Sequence, residues 1–591
     1  MKKTSEILKM NVKTLAWLLA ISILLLFSCS DELDTNPQGV LDPATVVSTA
    51  ENIDKLIIGV YGMLNGYNPS TGATWQTSVT NWVYGDITSD DAYKGSELTD
   101  QGPALEIETF SHLANNGYFD AKWRALYEGV KRSNDALRAL NTSDFLSASE
   151  KATKIAEVRF LRGHFYFDLK KMFSKVPYLD ENTETFFVKN FDGEELTWAH
   201  IEADFQAGVD NLPDTQVQSG RPRKASAQAY LGKALLYQGK FAEAKSVFDA
   251  VVNSGQFSLV DNYEDIYDPS LKSANTESVF VVHHSVGDGA ANDANGDYGS
   301  VLSYIQGGPG GCCGFFTPSQ DIVNAHKTSN GLPVLPSSDG IANHNDNPVN
   351  SDYGIFSSQP FTPYSGTVDP RLDWNIGRRG IPFKDWGVHP GADWARDPVA
   401  QGNYTQKKRF IRKDQNAFAG SGGWGEQTTA IDYHIIRYAD VLLMLAECEV
   451  EVGSLTRAME LVNMVRTRAK NSNYVQNEMG TADAANYQID LYASFTDQAM
   501  ARRAVRFERR LELSFEGHRF FDLVRWGIIK ARIDNYKSFE GSFNPNGTGY
   551  IPYINDINFE VGKNEYYPIP TNQIDLSTVA GEPTLQQNPG Y

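Results

Sequence analysis

Cysteine is scarce in this chain of 591 residues, with four in all, at Cys29, Cys312, Cys313 and Cys448. No Cys-x-x-Cys pair and no Cys/His cluster occurs, which argues against a structural zinc site. Gly-x-Ser-x-Gly, His-Glu-x-x-His and a phosphate-binding glycine loop are also missing, so esterase, zinc-protease and nucleotide chemistry have no foothold. Basic side chains are in deficit, with 53 Lys and Arg against 73 Asp and Glu and a formal net charge of −20. A surface this acidic repels phosphate backbones and anionic headgroups. Nucleic acid is therefore not an expected partner, and any membrane attachment must come from something other than a basic patch. The same acidity makes carboxylate pairs inevitable, so their presence says nothing in favour of a glycosidase. Asp288–Asp297 is rich in Asp, Asn and Gly but lacks the residue order of a calcium-binding EF-hand loop. No cofactor, no metal and no catalytic residue is expected.

What is present begins at the N-terminus. Lys2, Lys3, Lys9 and Lys13 precede the apolar run Leu15–Phe27, about 13 residues long and shorter than the ~20 of a spanning helix. Ser28 and Cys29 follow at once. Leu26, Phe27, Ser28 and Cys29 resemble the lipobox at which a bacterial signal peptide (1–28) is cut before an acylated cysteine, although Phe27 is bulkier than the usual small residue. Cys29 is thus the expected lipidation site and membrane anchor, followed by a tether over 29–45. Ser30, Asp31 and Glu32 form an acidic start resembling the signal that sends such lipoproteins to the outside of the outer membrane.

Beyond the tether, helical patterns dominate. Ser147 and Glu150 have capping-box spacing and open a predicted helix running to Leu169 with apolar residues at three- and four-residue intervals. Leu231, Gly232, Gly239, Phe241, Ala244 and Phe248 fall at tetratricopeptide-repeat offsets, although Gln228 and Gln256 stand where its Trp and Pro belong. Leu445, Ala446, Gly453, Leu455, Ala458 and Val462 repeat that register. Two degenerate copies far apart imply a helical scaffold rather than a regular solenoid. Cys448 lies inside an apolar helical pattern, as a core thiol would. Residues 257–430 differ, being rich in Gly, Asn, Asp, Pro and Ser with short apolar runs, and read as loops with small strands. Four of the ten Trp (Trp374, Trp386, Trp394 and Trp424) lie there among turn residues.

Several motifs together resemble the SusD/RagB family of outer-membrane nutrient-capture lipoproteins. They are Arg159–Leu169, with Gly163 in place of an alanine; Arg437–Met444; Glu508–Leu513 followed by Glu516–Trp526; and the ending Tyr567–Pro570 with Gln587–Tyr591. The resemblance implies a mostly α fold: a scaffold of tetratricopeptide-like units forming an α/α superhelix, in an N-terminal part (46–256) and a C-terminal part (431–591), with the loop-rich insert (257–430) between them. It also implies a non-enzymatic protein that captures oligosaccharides and passes them to a SusC-like TonB-dependent outer-membrane transporter. Some relatives import peptides, so peptide capture is the alternative in the same scaffold. A surface glycoside hydrolase is a third possibility. The alternating charges of Glu508–Leu513 read as buried or semi-buried ion pairs that tie helices together.

Sugars need aromatic rings for their C–H faces and planar polar groups for their hydroxyls. Two stretches offer both. The first holds Trp75 and Trp82, then Asp90 and Asp91, in a segment that recurs near the pocket in the family. The second holds Arg378, Trp386, Tyr404 and Trp424. Cys312 and Cys313 are adjacent within a glycine-rich loop. A disulfide between them is permitted by oxidising surroundings and would make a stiff apolar knob able to pack on a sugar face, as in similar family members; two free thiols or a structural kink are the alternative.

Overall fold

A computed structural model describes residues 49–591 apart from 73, 339–340 and 548–550. The signal segment, Cys29 and the tether up to residue 45 lie outside the described residues. The scaffold is helical. Its principal helices are α1 (Gly117–Thr142), α2 (Ala148–Phe173), α3 (Trp198–Asn211), α4 (Lys224–Tyr237), α5 (Phe241–Asn253), α6 (Tyr438–Val452), α7 (Leu455–Asn471) and α8 (Gln498–Glu512). Each packs against its neighbour in this order, so α5 meets α6 across the whole intervening insert. No helix among the described residues is long and apolar enough to cross a membrane.

Local chemistry accounts for these elements. The Ser147 hydroxyl accepts from Glu150 N, and the Glu150 carboxylate accepts from Ser147 N at 3.1 Å, closing the predicted box on orphan N–H groups at the start of α2. The family's alanine is Gly163 here for a steric reason: a Cβ would sit 2.8 Å from the Phe205 ring of α3. Gly232 of α4 faces Phe248 of α5 in the same way, with 2.6 Å left for a Cβ. Glycine thus sets the helix separation in both pairs. Gly232→Val is expected to overpack the α4–α5 contact and lower stability by about 1–3 kcal/mol, read from chemical denaturation.

The strands are short and pair in twos. β1 (Ala92–Gly95), β2 (Ser278–Val282), β3 (Phe315–Pro318), β4 (Ala419–Ser421), β5 (Gln427–Thr429) and β6 (Tyr433–Arg437) form antiparallel pairs β1–β3, β2–β6 and β4–β5. The β1–β3 pair sews the insert to the first part of the chain, and β2–β6 sews it to the start of α6. His284, just after β2, is buried and His283 exposed, as two residues leaving a strand should be.

The Glu508–Leu513 run lies at the centre of a charge lattice. Glu508 pairs with Arg371 at 2.7 Å and Arg466 at 2.8 Å, and Glu512 with Arg371, Arg437 and Arg468. Arg509 bridges Asp440 of α6 and Asp522. Arg510 reaches Asp91 and Asp321. These charges are buried, and the bonds join residues from the first part of the chain, the insert and the last part. Cys448 is fully buried in α6.

Candidate ligand-binding face

β1 ends at Gly95, opposite Phe315 at the start of β3. Antiparallel pairing therefore lays the loop leaving β1 (96–101) beside the loop entering β3 (307–314). Ser96 N donates to Gly314 O at 2.7 Å and locks the two together. The second loop turns on Gly307, Gly310, Gly311 and Gly314, all at positive φ that favours glycine. Its tip carries Cys312 and Cys313 joined as a disulfide, with Cys312 half-buried and Cys313 buried against the core.

Trp394 stands against this turn. A Cβ on Gly308 would lie 2.9 Å from its ring, and Gly307 backs onto Asp393 O. Phe383 and His389 meet the indole edge-on at 5.6 and 4.9 Å between ring centroids. Burial pushes the His389 imidazole down to about 3, so that neighbour is neutral. Trp394 is half-buried, and its indole N–H has no acceptor among the described residues.

Two residues on, the Arg396 guanidinium contacts Asp100 at 2.6 Å, Ser96 Oγ at 3.0 Å and Glu97 at 3.3 Å. The Lys94 ammonium fixes the same loop through Glu97 O at 2.7 Å and Asp100 O at 2.8 Å. Gln101 accepts from the Tyr118 hydroxyl at 2.5 Å, and that hydroxyl accepts from the Trp75 indole at 2.9 Å. Half-buried Trp75 is thereby held at the end of the loop. The outcome is a stiff apolar turn, an adjacent indole and a planar guanidinium–carboxylate group, a combination suited to a sugar's C–H face and hydroxyls. It contains no paired nucleophile and base. Among the described residues no group of three or more His, Cys, Asp or Glu could hold a metal ion. Asp288 is satisfied within its own loop by Ser285, Asn295 and Ala290.

The structure redistributes the other sequence-predicted residues. Trp82 is 2% exposed and stacks on Phe316 at 5.2 Å; it is core, not platform. Asp90 and Asp91 are buried under Arg510, with Asp90 also held by Arg519 and Arg532. Burial would raise the Asp90 carboxyl, but the three guanidinium groups hold it well below its usual range. Both aspartates are structural. Arg378 is spent on a two-pronged bond to Asp373 at 2.7 and 2.8 Å. Tyr404 is buried and donates to Gln320 at 2.9 Å. All five side chains are buried among protein partners.

Trp386 is half-buried, donates its indole N–H to Ile411 O at 3.1 Å and joins Trp394 on the same small cluster with Phe383. Trp424 is 57% exposed, at the turn between β4 and β5. No hydrogen bond or ring contact among the described residues links it to the disulfide turn. Trp526, in the scaffold signature, is half-buried rather than enclosed, its indole N–H bonded to Glu447 at 2.9 Å. Sequence reasoning passed over Glu97, Asp100 and Arg396. Trp394 had the same turn-rich context as its neighbours, and only its packing on Gly308, Phe383 and His389 sets it apart.

Comparison with known proteins bears on this geometry. The sequence model described as "SusD family" matches residues 276–591, and one described as "Starch-binding associating with outer membrane" matches residues 31–236. SusD-like protein P2 of Formosa agariphila is 24% identical, with 97% of this chain and 98% of that protein aligned. A SusD-like protein of Bacteroides ovatus is 23% identical over 88% of this chain and 83% of its own length. Among solved structures, surface glycan-binding protein A from Bacteroides thetaiotaomicron in complex with laminarihexaose superimposes with a TM-score of 0.63 at 19% identity, covering 92% of this chain and 100% of that one. A laminarin-binding SusD-like protein does so at 0.61 and 22% identity, covering 92% and 100%.

Proposed function

Because this chain belongs to the SusD family, we propose that it is a non-catalytic, cell-surface glycan-binding protein that captures oligosaccharides on the disulfide-turn face. The observation that carries this reading is the convergence of Cys312–Cys313, Trp394 and Arg396 on one face beside Trp75. The laminarihexaose complex of a structurally similar protein supports the ligand class. In this reading acylated Cys29 tethers the protein to the outer membrane, and a TonB-dependent transporter receives the bound glycan. The acidic surface suits that arrangement, since the anchor and not a basic patch supplies the membrane contact.

The test is calorimetric titration with hexasaccharides from laminarin, cellulose, starch, mannan and xylan, with product analysis on the same samples. At least one is expected to bind, and none to be cleaved. Trp394→Ala should weaken binding about tenfold, since a lost aromatic contact costs about 0.5–1.5 kcal/mol beyond its area. Trp82→Ala should instead cost about 3–5 kcal/mol of stability, as a core truncation does. Released reducing sugar, or binding of peptides in place of every glycan, would overturn the reading.

A further inference from the structure

A cleft of about 510 Å³ opens between the insert and residues 473–480 and shares no lining residue with the disulfide-turn face. Its volume falls within the roughly 300–1,000 Å³ of small-ligand sites. Trp374 is its aromatic wall. The helical turn that bears Trp374, Leu372–Asn375, is anchored on two sides. Asp373 is held by Arg378 and by the Tyr487 hydroxyl at 2.7 Å, while Asn375 accepts from Tyr263 at 2.9 Å and donates to Ser514 at 3.0 Å. Trp374, between them, is left half-buried.

The indole N–H of Trp374 is donated to Asn473 O at 2.9 Å, and the Lys407 ammonium lies 5.5 Å from the ring centroid. Its orientation is therefore fixed and its polar atom satisfied, so the ring offers only an apolar surface. Around it stand Asn473, Asn477, Glu478 and the Arg412–Glu264 ion pair. Amide, carboxylate and guanidinium groups beside a fixed indole are the requirements of a sugar ring, with apolar C–H on one side and hydroxyls at the rim. Mixed signs of charge at the rim favour a neutral ligand over an anionic one.

We infer that this cleft is a second carbohydrate site, able to hold another segment of the glycan captured at the disulfide turn. The inference rests on the glycan-binding reading above. Two sites on one rigid body would hold a polymer more tightly than either holds a short chain, because the second contact becomes intramolecular.

The experiment counts bound hexasaccharide per protein by calorimetry, using the panel member that binds. Wild type should bind two, and Trp374→Ala and Trp394→Ala should each keep one at wild-type affinity and bind the other about tenfold more weakly. Affinity for the parent polymer should fall at least about tenfold in either variant. Should Trp374→Ala fail to fold, Glu478→Cys can be alkylated after folding with a bulky maleimide to fill the cleft. In the Cys29→Ala background Cys448 is buried and Cys312–Cys313 paired, so the label is selective. Labelling should remove one of the two bound chains. A wild-type value of one, weakened about tenfold by Trp394→Ala and untouched by labelling, would overturn the second site and leave the first standing. No binding by any panel member would overturn both.

Discussion

Glu512→Ala is expected to lower the unfolding free energy by about 3–5 kcal/mol at neutral pH, because it leaves buried guanidinium groups without their counter-charge. Glu512 has no solvent exposure and pairs with Arg371, Arg437 and Arg468. Of these, Arg371 keeps Asp369 and Glu508, and Arg437 keeps Glu277 and Glu516. Arg468 keeps only Glu277 among its ion pairs and loses most. Glu51, paired with Lys55 on the exposed face of a helix, is the control: Glu51→Ala should leave the melting curve unchanged.

The same lattice sets the response to acid. Burial would raise the Glu516 carboxyl, but Arg437 and Lys408 hold it down at about 2; Arg509 and Arg525 overcome burial at Asp522, also at about 2. A carboxyl lowered in the folded state adds stability that is complete above its unfolded value and is lost as pH falls through the folded one. Stability should therefore decline from about pH 4.5 towards pH 2. The gap between wild type and Glu512→Ala should narrow as pH falls below the ordinary glutamate range, because Glu512 takes up a proton in the unfolded chain while, despite burial, Arg468, Arg437 and Arg371 keep it ionised in the folded one. A gap that stays constant to pH 2 would mean that the Glu512 charge is not what the three arginines need.

Cys29→Ala is expected to move the protein almost entirely from the membrane fraction to the soluble one. Each buried CH₂ contributes about 0.8 kcal/mol, and one acyl chain holds only marginally, so firm attachment needs a multiply acylated residue. No helix among the described residues can replace that anchor by spanning the bilayer. A net charge of −20 offers no attraction to anionic headgroups. Nothing else identified in the chain competes with Cys29, which is why the effect should approach all-or-none. Fractionation with immunodetection reads the outcome, and retention of Cys29→Ala in the membrane fraction would sink the lipid-anchor reading. Protease shaving of intact cells separates outward from inward orientation for the wild type.

Features determined by neighbours close in sequence were legible in the sequence alone. The Ser147–Glu150 cap and the paired helices around Gly232 follow from spacing, because each interaction spans a few residues or one helical hairpin. The run Glu508–Leu513 read as buried or semi-buried ion pairs because it stands within the family's signature, not because of its spacing. The binding face was not legible in this way. Trp82, Asp90 and Asp91 look like a polar and aromatic platform in one dimension, yet Phe316, Arg510, Arg519 and Arg532 close over them from more than two hundred residues away. Arg378 and Tyr404 disappear within the insert itself, taken up by Asp373 and Gln320. Trp374, Trp386, Trp394 and Trp424 share one kind of turn-rich setting, and nothing local distinguishes them. Packing on Gly308, Phe383 and His389, with Arg396 bonded to Asp100, brings Trp394 to the disulfide turn; an anchored helical turn leaves Trp374 walling a cleft, and Trp424 stands at the tip of the β4–β5 hairpin. Periodicity and capping record which face of an element is apolar, so they determined the scaffold. Which half-buried aromatic meets a ligand depends on what distant strands bring beside it, and only the tertiary structure decided that.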